Sequence, residues 1–341
     1  AALSKTGAGV LTLSGANSFT GLTQVSEGAL RVTASNALAA ASSLEVTGTG
    51  TFEIDGVALN SLASLTLTGG LAGLETLAGR GTASYGGTVT MVGHARMETA
   101  GASDTLTLGG QIDGRTDVPT SAAPILQKVG GGVLVLDGTG SLFYPQILAG
   151  TLRATSNGVL PNTETLVGPG ATLDIANTTQ SIAHLSGGNA PSRVLLGASG
   201  QLTVNQGLEN AYAGSISGGA ASVFAKAGNA TLHLSGASPD YFGVTRVQAG
   251  TLSVSGSGNV LGSGGVEVSD GATLDIDAVN LGVTSLQLTG SGVGGSGALT
   301  GAGAARYDGT VSLNEPGPVV LGVADGGYLT LGGPLSGGVA M

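Results

Sequence analysis

The 341-residue sequence has no cysteine and no tryptophan, and aromatic residues make up only 3% of it. Without cysteine no disulfide can brace the fold, so hydrogen bonding and packing must supply its stability. So few rings exclude a thick core centred on aromatics. Charge is sparse as well, at 9% of residues, and basic groups are the scarcer sign: 11 Lys and Arg against 21 Asp and Glu leave a net charge of −10. No basic stripe exists to displace counterions from phosphates, which argues against a nucleic-acid partner. No apolar run approaches the ~20 residues of a membrane helix, so these residues are not expected to span a membrane. The opening, AALSKTG, carries no Met, basic region or apolar signal segment, and the chain is read as an internal piece of a longer protein.

What the sequence has in quantity is glycine, 64 residues, beside a hydrophobic content of 41%. The glycines lack the period of collagen, and the hydrophobic content is too high for a disordered linker. Order is expected along the full length, as thin layers of Leu, Val, Ile and Ala, with Gly and Asn where the backbone turns with positive φ. Length alone would allow two or three domains, but internal repetition favours one stacked body over residues 1–341.

The repetition is explicit. KTGAGVLTL at Lys5 to Leu13 returns as KVGGGVLVL at Lys128 to Leu136 and as KAGNATLHL at Lys226 to Leu234. A second marker follows each copy at nearly constant distance: GALRV from Gly28, GTLRA from Gly150 and GTLSV from Gly250. A third is TFEID from Thr51, ATLDIA from Ala171 and ATLDID from Ala272. Leu77 to Met91 aligns without a gap to Leu299 to Leu313, so long repeats run over about 1–114, 125–223 and 224–338. The first and last end at the same phase, and another Lys strand is expected beyond Met341. All these segments alternate apolar and small polar residues, the signature of half-buried strands, and none has a helical period.

Sandwiches and barrels also use alternating strands, but strands recurring in fixed order are natural to solenoid rungs. The fold expected is all-β, a parallel β-helix of about fifteen coils in three long repeats, on the order of 70 Å long at ~4.8 Å per layer. Leu30, Leu152 and Leu252 should occupy equivalent inward positions, with Arg31 outward. RTDVPTSAAP, Arg115 to Pro124, lacks alternation and should leave the coil as a loop. Pro145, Pro161, Pro169 and Pro191 should mark corners or protruding loops of the middle repeat.

The segment Lys5 to Val32, KTGAGVLTLSGANSFTGLTQVSEGALRV, resembles the transport-associated repeat of autotransporter passenger domains, the surface-exposed part of type V secretion proteins. In that family a Lys-Gly-Leu strand leads to a Gly-Asn-Thr-Tyr-Gly-like turn and a Gly-Thr-Leu strand. Here the turn reads Asn17, Ser18, Phe19, Thr20, Gly21; the third copy keeps Tyr241, Phe242 and Gly243; the second, with Leu142, Phe143, Tyr144 and Pro145, is furthest from the pattern. The resemblance implies a right-handed β-helix, secretion through the outer membrane and display at the bacterial surface. It also implies an adhesin or virulence-type binding and scaffold role toward a host or neighbouring-cell surface protein or glycan.

Residues that could carry chemistry are few. His94, His184 and His233 have no metal-ligand spacing, and His233 should face solvent beside Leu232 and Leu234. Asp174, Asp275 and Asp277 alternate with apolar residues and should project outward, where they keep a sheet soluble; paired as acid and base they would instead suit glycan cleavage. Lys5, Lys128 and Lys226 read as edge or corner residues. Accordingly no catalytic, cofactor or metal site is assigned, and no enzymatic activity is expected. The alternatives kept open are a β-helix polysaccharide lyase or hydrolase and a purely structural spacer or filament subunit. The corners Phe143 to Pro145 and Gly187 to Ser192 are where a partner contact is expected; Phe143 and Tyr144 read first as caps of a coil and, in the alternative, as an exposed aromatic contact.

Overall fold

The computed structural model describes residues 1–38, 41, 43–60, 62, 64–69, 77–115, 123–188, 191–256, 259–282, 285–314 and 317–337. The chain divides into two compact units: Ala1–Leu166 with Ala171–Leu173, and Val167–Gly170 with Asp174–Met341. Each is a parallel β-solenoid, and about fourteen turns are present in all. Helix is confined, among the described residues, to one 3-10 turn at Val293–Gly295.

The first unit lays its strands in three stacks. One runs through Leu3–Lys5, the opening residues of Thr23–Val32 and of Leu44–Asp55, then Ser64–Gly69, Thr88–Gly93 and Ile112–Arg115. A second runs through Val10–Leu13, the closing residues of the same two long strands, then Leu77–Arg80, Ala95–Thr99, Ile125–Val129 and Tyr144–Ile147. The third holds Ala58–Leu59, Thr82–Tyr85, Thr105–Leu108, Val133–Leu136 and Thr151–Ala154. Among the described residues the strand pairings are parallel and nearly all keep one register, because shifting a turn by one residue would turn its apolar set outward. The irregularity falls between Val25 and Glu27, where the strand rounds a corner.

The core is therefore made of columns. Leu30, Phe52, Leu77 and Met97 lie in register one above another and are fully buried. Val25, Val46, Leu67 and Met91 form a second column. Each apolar side chain buried in this way contributes about 1.5–3 kcal/mol.

The second unit repeats the scheme. One stack runs from Thr179–Ile182 through Gln201–Asn205, Val223–Ala227, Val244–Val247, Val266–Val268, Leu286–Thr289 and Val311–Asn314 to Leu335–Gly337. Another includes Thr231–Leu234, Gly250–Val254, Ala272–Asp277 and Leu299–Ala302, so that Leu232, Leu252, Leu274 and Leu299 make a buried column. Leu30, Leu152 and Leu252 are all fully buried, as the alternation requires. Residues 116–122 of the expected loop lie outside the described residues; Arg115 ends one strand and Ile125 begins the next.

The prolines of the middle repeat depart from expectation at one point. Pro145 is buried inside the strand Tyr144–Ile147 and pairs with Leu126. In a parallel ladder alternate residues bond to opposite neighbours. Tyr144 N–H donates to Pro124 and Leu148 N–H to Lys128, so the donor that Pro145 lacks would have faced the other side.

Replacing Leu252 by Ala opens a cavity in a column with no slack and is expected to cost roughly 2–5 kcal/mol. Leu252→Asp should cost more, because the carboxylate would have no partner there. Thermal unfolding followed by circular dichroism checks both; an Asp variant that melts with the parent would place Leu252 on the wrong face.

Candidate functional site

The repeated lysines are not edge or corner residues. Lys128 stands in the column of Leu77, Met97 and Ile147, and Lys226 in that of Val204, Val247 and Val268. Both are fully buried, and Lys5, in register with Val25, is 7% exposed. A charge reaches this position because the ammonium is fully engaged. Lys5 Nζ donates to the carbonyls of Thr6 (3.0 Å), Gly7 (2.6 Å) and Glu27 (2.9 Å). Lys128 Nζ donates to Val129 (2.9 Å), Gly130 (2.7 Å) and Ala149 (3.0 Å), and Lys226 Nζ to Ala227 (3.1 Å), Gly228 (2.8 Å) and Ala249 (2.8 Å). Two of the oxygens belong to the corner following the lysine and one to the next turn. Each ammonium thus joins two successive turns with all three of its donors used.

This geometry explains the second repeated marker. Gly28, Gly150 and Gly250 directly follow the far carbonyls and adopt φ of 63°, 67° and 61°. A Cβ at Gly150 would lie 2.4 Å from Gly130 O and 2.8 Å from Lys128 Nζ, so glycine is required for both conformation and space. The device is not tied to one stack. Lys5 lies in the first stack of its unit and Lys128 in the second.

A second corner device rests on tyrosine. Tyr85, Tyr212 and Tyr241 are buried, and each hydroxyl donates to the carbonyl three residues on, in Thr88 (3.4 Å), Ser215 (3.3 Å) and Val244 (2.6 Å). Tyr241 Oη also accepts from Phe224 N–H at 2.9 Å, and burial pushes its pKa up to about 12. Gly87 and Gly214 sit two residues after their tyrosines, where a Cβ would lie 2.5 and 2.4 Å from the hydroxyl.

The three histidines and the aspartates named from the sequence have separate partners. His94 Nδ1 accepts from Ile125 N–H at 3.0 Å, and His184 Nδ1 from Gly207 N–H at 3.4 Å. His233, half-exposed as expected, meets Glu209 at 3.0 Å. Asp275 and Asp277 point outward; Asp275 accepts from Ser253 (3.1 Å) and Thr300 (2.6 Å) on neighbouring turns. Asp174 contradicts the outward assignment, being only 9% exposed. Its strand ends there, the chain turns through positive φ at Ala176 and Asn177, and the Asp174 carboxylate accepts the Ala176 N–H at 2.9 Å. Among the described residues no group of three or more His, Cys, Asp or Glu could hold a metal ion.

The outer face of the first unit's second stack changes character along its length. Its early turns carry charges of alternating sign: Arg31 meets Glu53 at 2.7 Å and Arg80 meets Glu98 at 3.5 Å. Later turns carry the neutral pair Gln127 and Gln146, Nε2 to Oε1 at 3.4 Å. Beside them His94, Ile125, Tyr144, Gln146, Glu164 and Leu166 line a recess of about 240 Å³. Phe143 is fully buried, which fits a coil cap and removes the alternative of an exposed contact. Leu142 adopts φ 51° and takes the exposed place, and this turns the phenyl ring inward; Tyr144 remains half-buried at the recess. At the other expected corner Ser192 is buried and Pro191 exposed, while residues 189–190 lie outside the described residues.

Parallel turns, inward lysines clamping successive turns and glycines at the clamp define a class: a repeat protein of the β-solenoid type whose repeat unit is the clamp itself. Comparison with known proteins places it further. The passenger-associated transport repeat family matches residues 3–32 and 224–254, the segments around Lys5 and Lys226. The adhesin BmaC autotransporter of Brucella suis biovar 1 (strain 1330) is 35% identical over 291 residues, covering 82% of this chain and 8% of that protein. The chain thus spans a small fraction of the relative it matches. No solved structure gives a significant match. The chain thus carries the passenger-associated transport repeat at two places and is similar over most of its own length to an autotransporter adhesin. Lys128 lies outside both matched segments yet makes the same three bonds.

Lys226→Met, which keeps the stem and removes the donors, should cost roughly 1–3 kcal/mol for each carbonyl left unpaired and lower the melting temperature by several degrees. Lys226→Arg should not rescue it, because a planar guanidinium does not reproduce the three-way fork. Burial lowers the pKa of Lys226 to about 8 from 10.5. Burial does the same for Lys128, partly opposed by Glu98. The folded state therefore releases these protons at lower pH than the unfolded chain. Below about pH 8 both states hold them, and between about 8 and 10.5 the unfolded state binds more, so each group adds stability as pH rises through that window. Melts of the parent against Lys226→Met at about pH 7 and about pH 10 read the difference, which should grow in favour of the parent.

Proposed function

We propose that this chain is a length of surface-displayed passenger stem that works by contact and by support, as an adhesive scaffold without catalysis of its own. The observation that carries the reading is the lysine clamp, recurring three times in a parallel solenoid whose sequence matches an autotransporter adhesin over most of its length. A clamp joining successive turns stiffens a stem, and the outward ladders offer extended faces of the kind repeat proteins use for binding. The partner is a molecule on a host or neighbouring cell surface, and the route to it is secretion through the outer membrane. A relative named as an adhesin, and histidines and aspartates that have separate partners, support a non-enzymatic role over glycan cleavage.

The test is to display the whole protein on a bacterial surface, with and without an in-frame deletion of this chain. Protease shaving and antibody labelling should report display of both forms, and adherence to cultured cells should fall several-fold on deletion. Adherence unchanged by the deletion would remove the adhesive reading; a protein that stays inside the cell would remove the passenger reading.

A further inference from the structure

We infer that the recess on the first unit's second stack is a binding site for a neutral pyranose sugar, an inference that rests on the adhesive reading and narrows its partner to a glycan. The first ground is shape. At about 240 Å³ the recess is smaller than the ~300–1,000 Å³ pockets of drug-sized ligands and suits one or two sugar rings. The second is the apolar floor. Tyr144 and Ile125 lie side by side in register, and Leu166 completes the lining. The C–H face of a pyranose carries partial positive charge, which suits the negative face of an aromatic ring.

The third ground is the polar rim, which offers donors and acceptors together. His94 Nδ1 is taken by the Ile125 amide, so in the neutral ring Nε2 carries the proton and donates. Gln146 accepts from Gln127 through Oε1, which leaves its amide N–H groups as donors. Glu164 lines the recess and has a partner of its own, but a carboxylate has about four acceptor sites, so it can take a hydroxyl besides. Hydroxyls need both kinds of partner, and a ring of hydroxyls needs them on several sides. The fourth ground is charge. No Lys or Arg lines the recess and a carboxylate does, within a chain of net charge −10. Phosphorylated or sialylated sugars are therefore disfavoured, and a neutral ring is selected.

The experiment titrates the purified chain with galactose, glucose, mannose, fucose and N-acetylhexosamines, with sialic acid, glucose phosphate and a short acidic peptide as contrasting arms. Saturation-transfer NMR reads contact, and calorimetry reads affinity, expected near millimolar for one ring. At least one neutral sugar should bind, with the affinity falling about tenfold in Tyr144→Ala, which is about 1.4 kcal/mol, and severalfold in Glu164→Gln. Melting curves check folding; if Tyr144→Ala does not fold, Gln146→Ala at the rim carries the same expectation. Absence of neutral-sugar binding, preference for a charged arm, or parental binding by the variants would overturn the site. Displaying Tyr144→Ala in the whole protein separates the two readings. If sugar binding is lost while adherence persists, the sugar site and the adhesive reading both stand, and the claim that a glycan held in the recess is the adhesive partner falls. Sugar binding by a protein whose deletion leaves adherence intact would sink that reading instead.

Discussion

Three carbonyl oxygens around one lysine ammonium are the contact on which the repeat depends. An inward charge in a column of Leu, Met and Val is costly unless every proton has an acceptor, and here each of the three protons has one. The oxygens are available only because the corner after the lysine turns its carbonyls back and the next turn brings a third over them. That turn approaches closely enough because glycine follows the third carbonyl. The spacing of Lys and Gly is thus set by the circumference of one turn, the distance along the chain from an ammonium to the oxygen stacked above it.

Burial and bonding act in opposite directions on these lysines. Loss of water lowers the pKa of Lys128 and Lys226, whereas three oxygens hold the proton in place. A neutral amine would have two donors for three acceptors and leave one carbonyl unpaired. On the outer side of the turns Arg31, Arg80 and Glu98 are part-exposed and gather around the buried Glu53 carboxylate, which Arg31 meets at 2.7 Å and Arg80 at 3.7 Å.

Much of the fold was legible in the sequence. Alternation placed Leu30, Leu152 and Leu252 inside and His233 at the surface, and the recurring markers distinguished a solenoid from a sandwich. The inward place of the lysines has a signal in the sequence: Lys128 shares parity with Leu126 and Lys226 with Phe224, both inward, although charge alone points to an edge or corner. The tyrosine corners were legible in the same way, as Tyr-x-Gly at Tyr85, Tyr212 and Tyr241. Asp174 and Phe143 had no such signal. Each depends on a non-glycine residue at positive φ, Ala176 or Leu142, and neither residue type announces that conformation. The recess needed residues from four separate turns, and only stacking brings them together.

The reach of each clamp has a consequence for how the protein is made. Lys5, Lys128 and Lys226 find their most distant acceptors 22, 21 and 23 residues away. Contacts this local keep the entropy of loop closure small, and a chain dominated by them need not be complete before it begins to fold. A polypeptide delivered end first, as through a narrow exit, can lock each turn onto the last as soon as the next two dozen or so residues have emerged. Assembly of that kind runs in one direction and exposes a single growing edge.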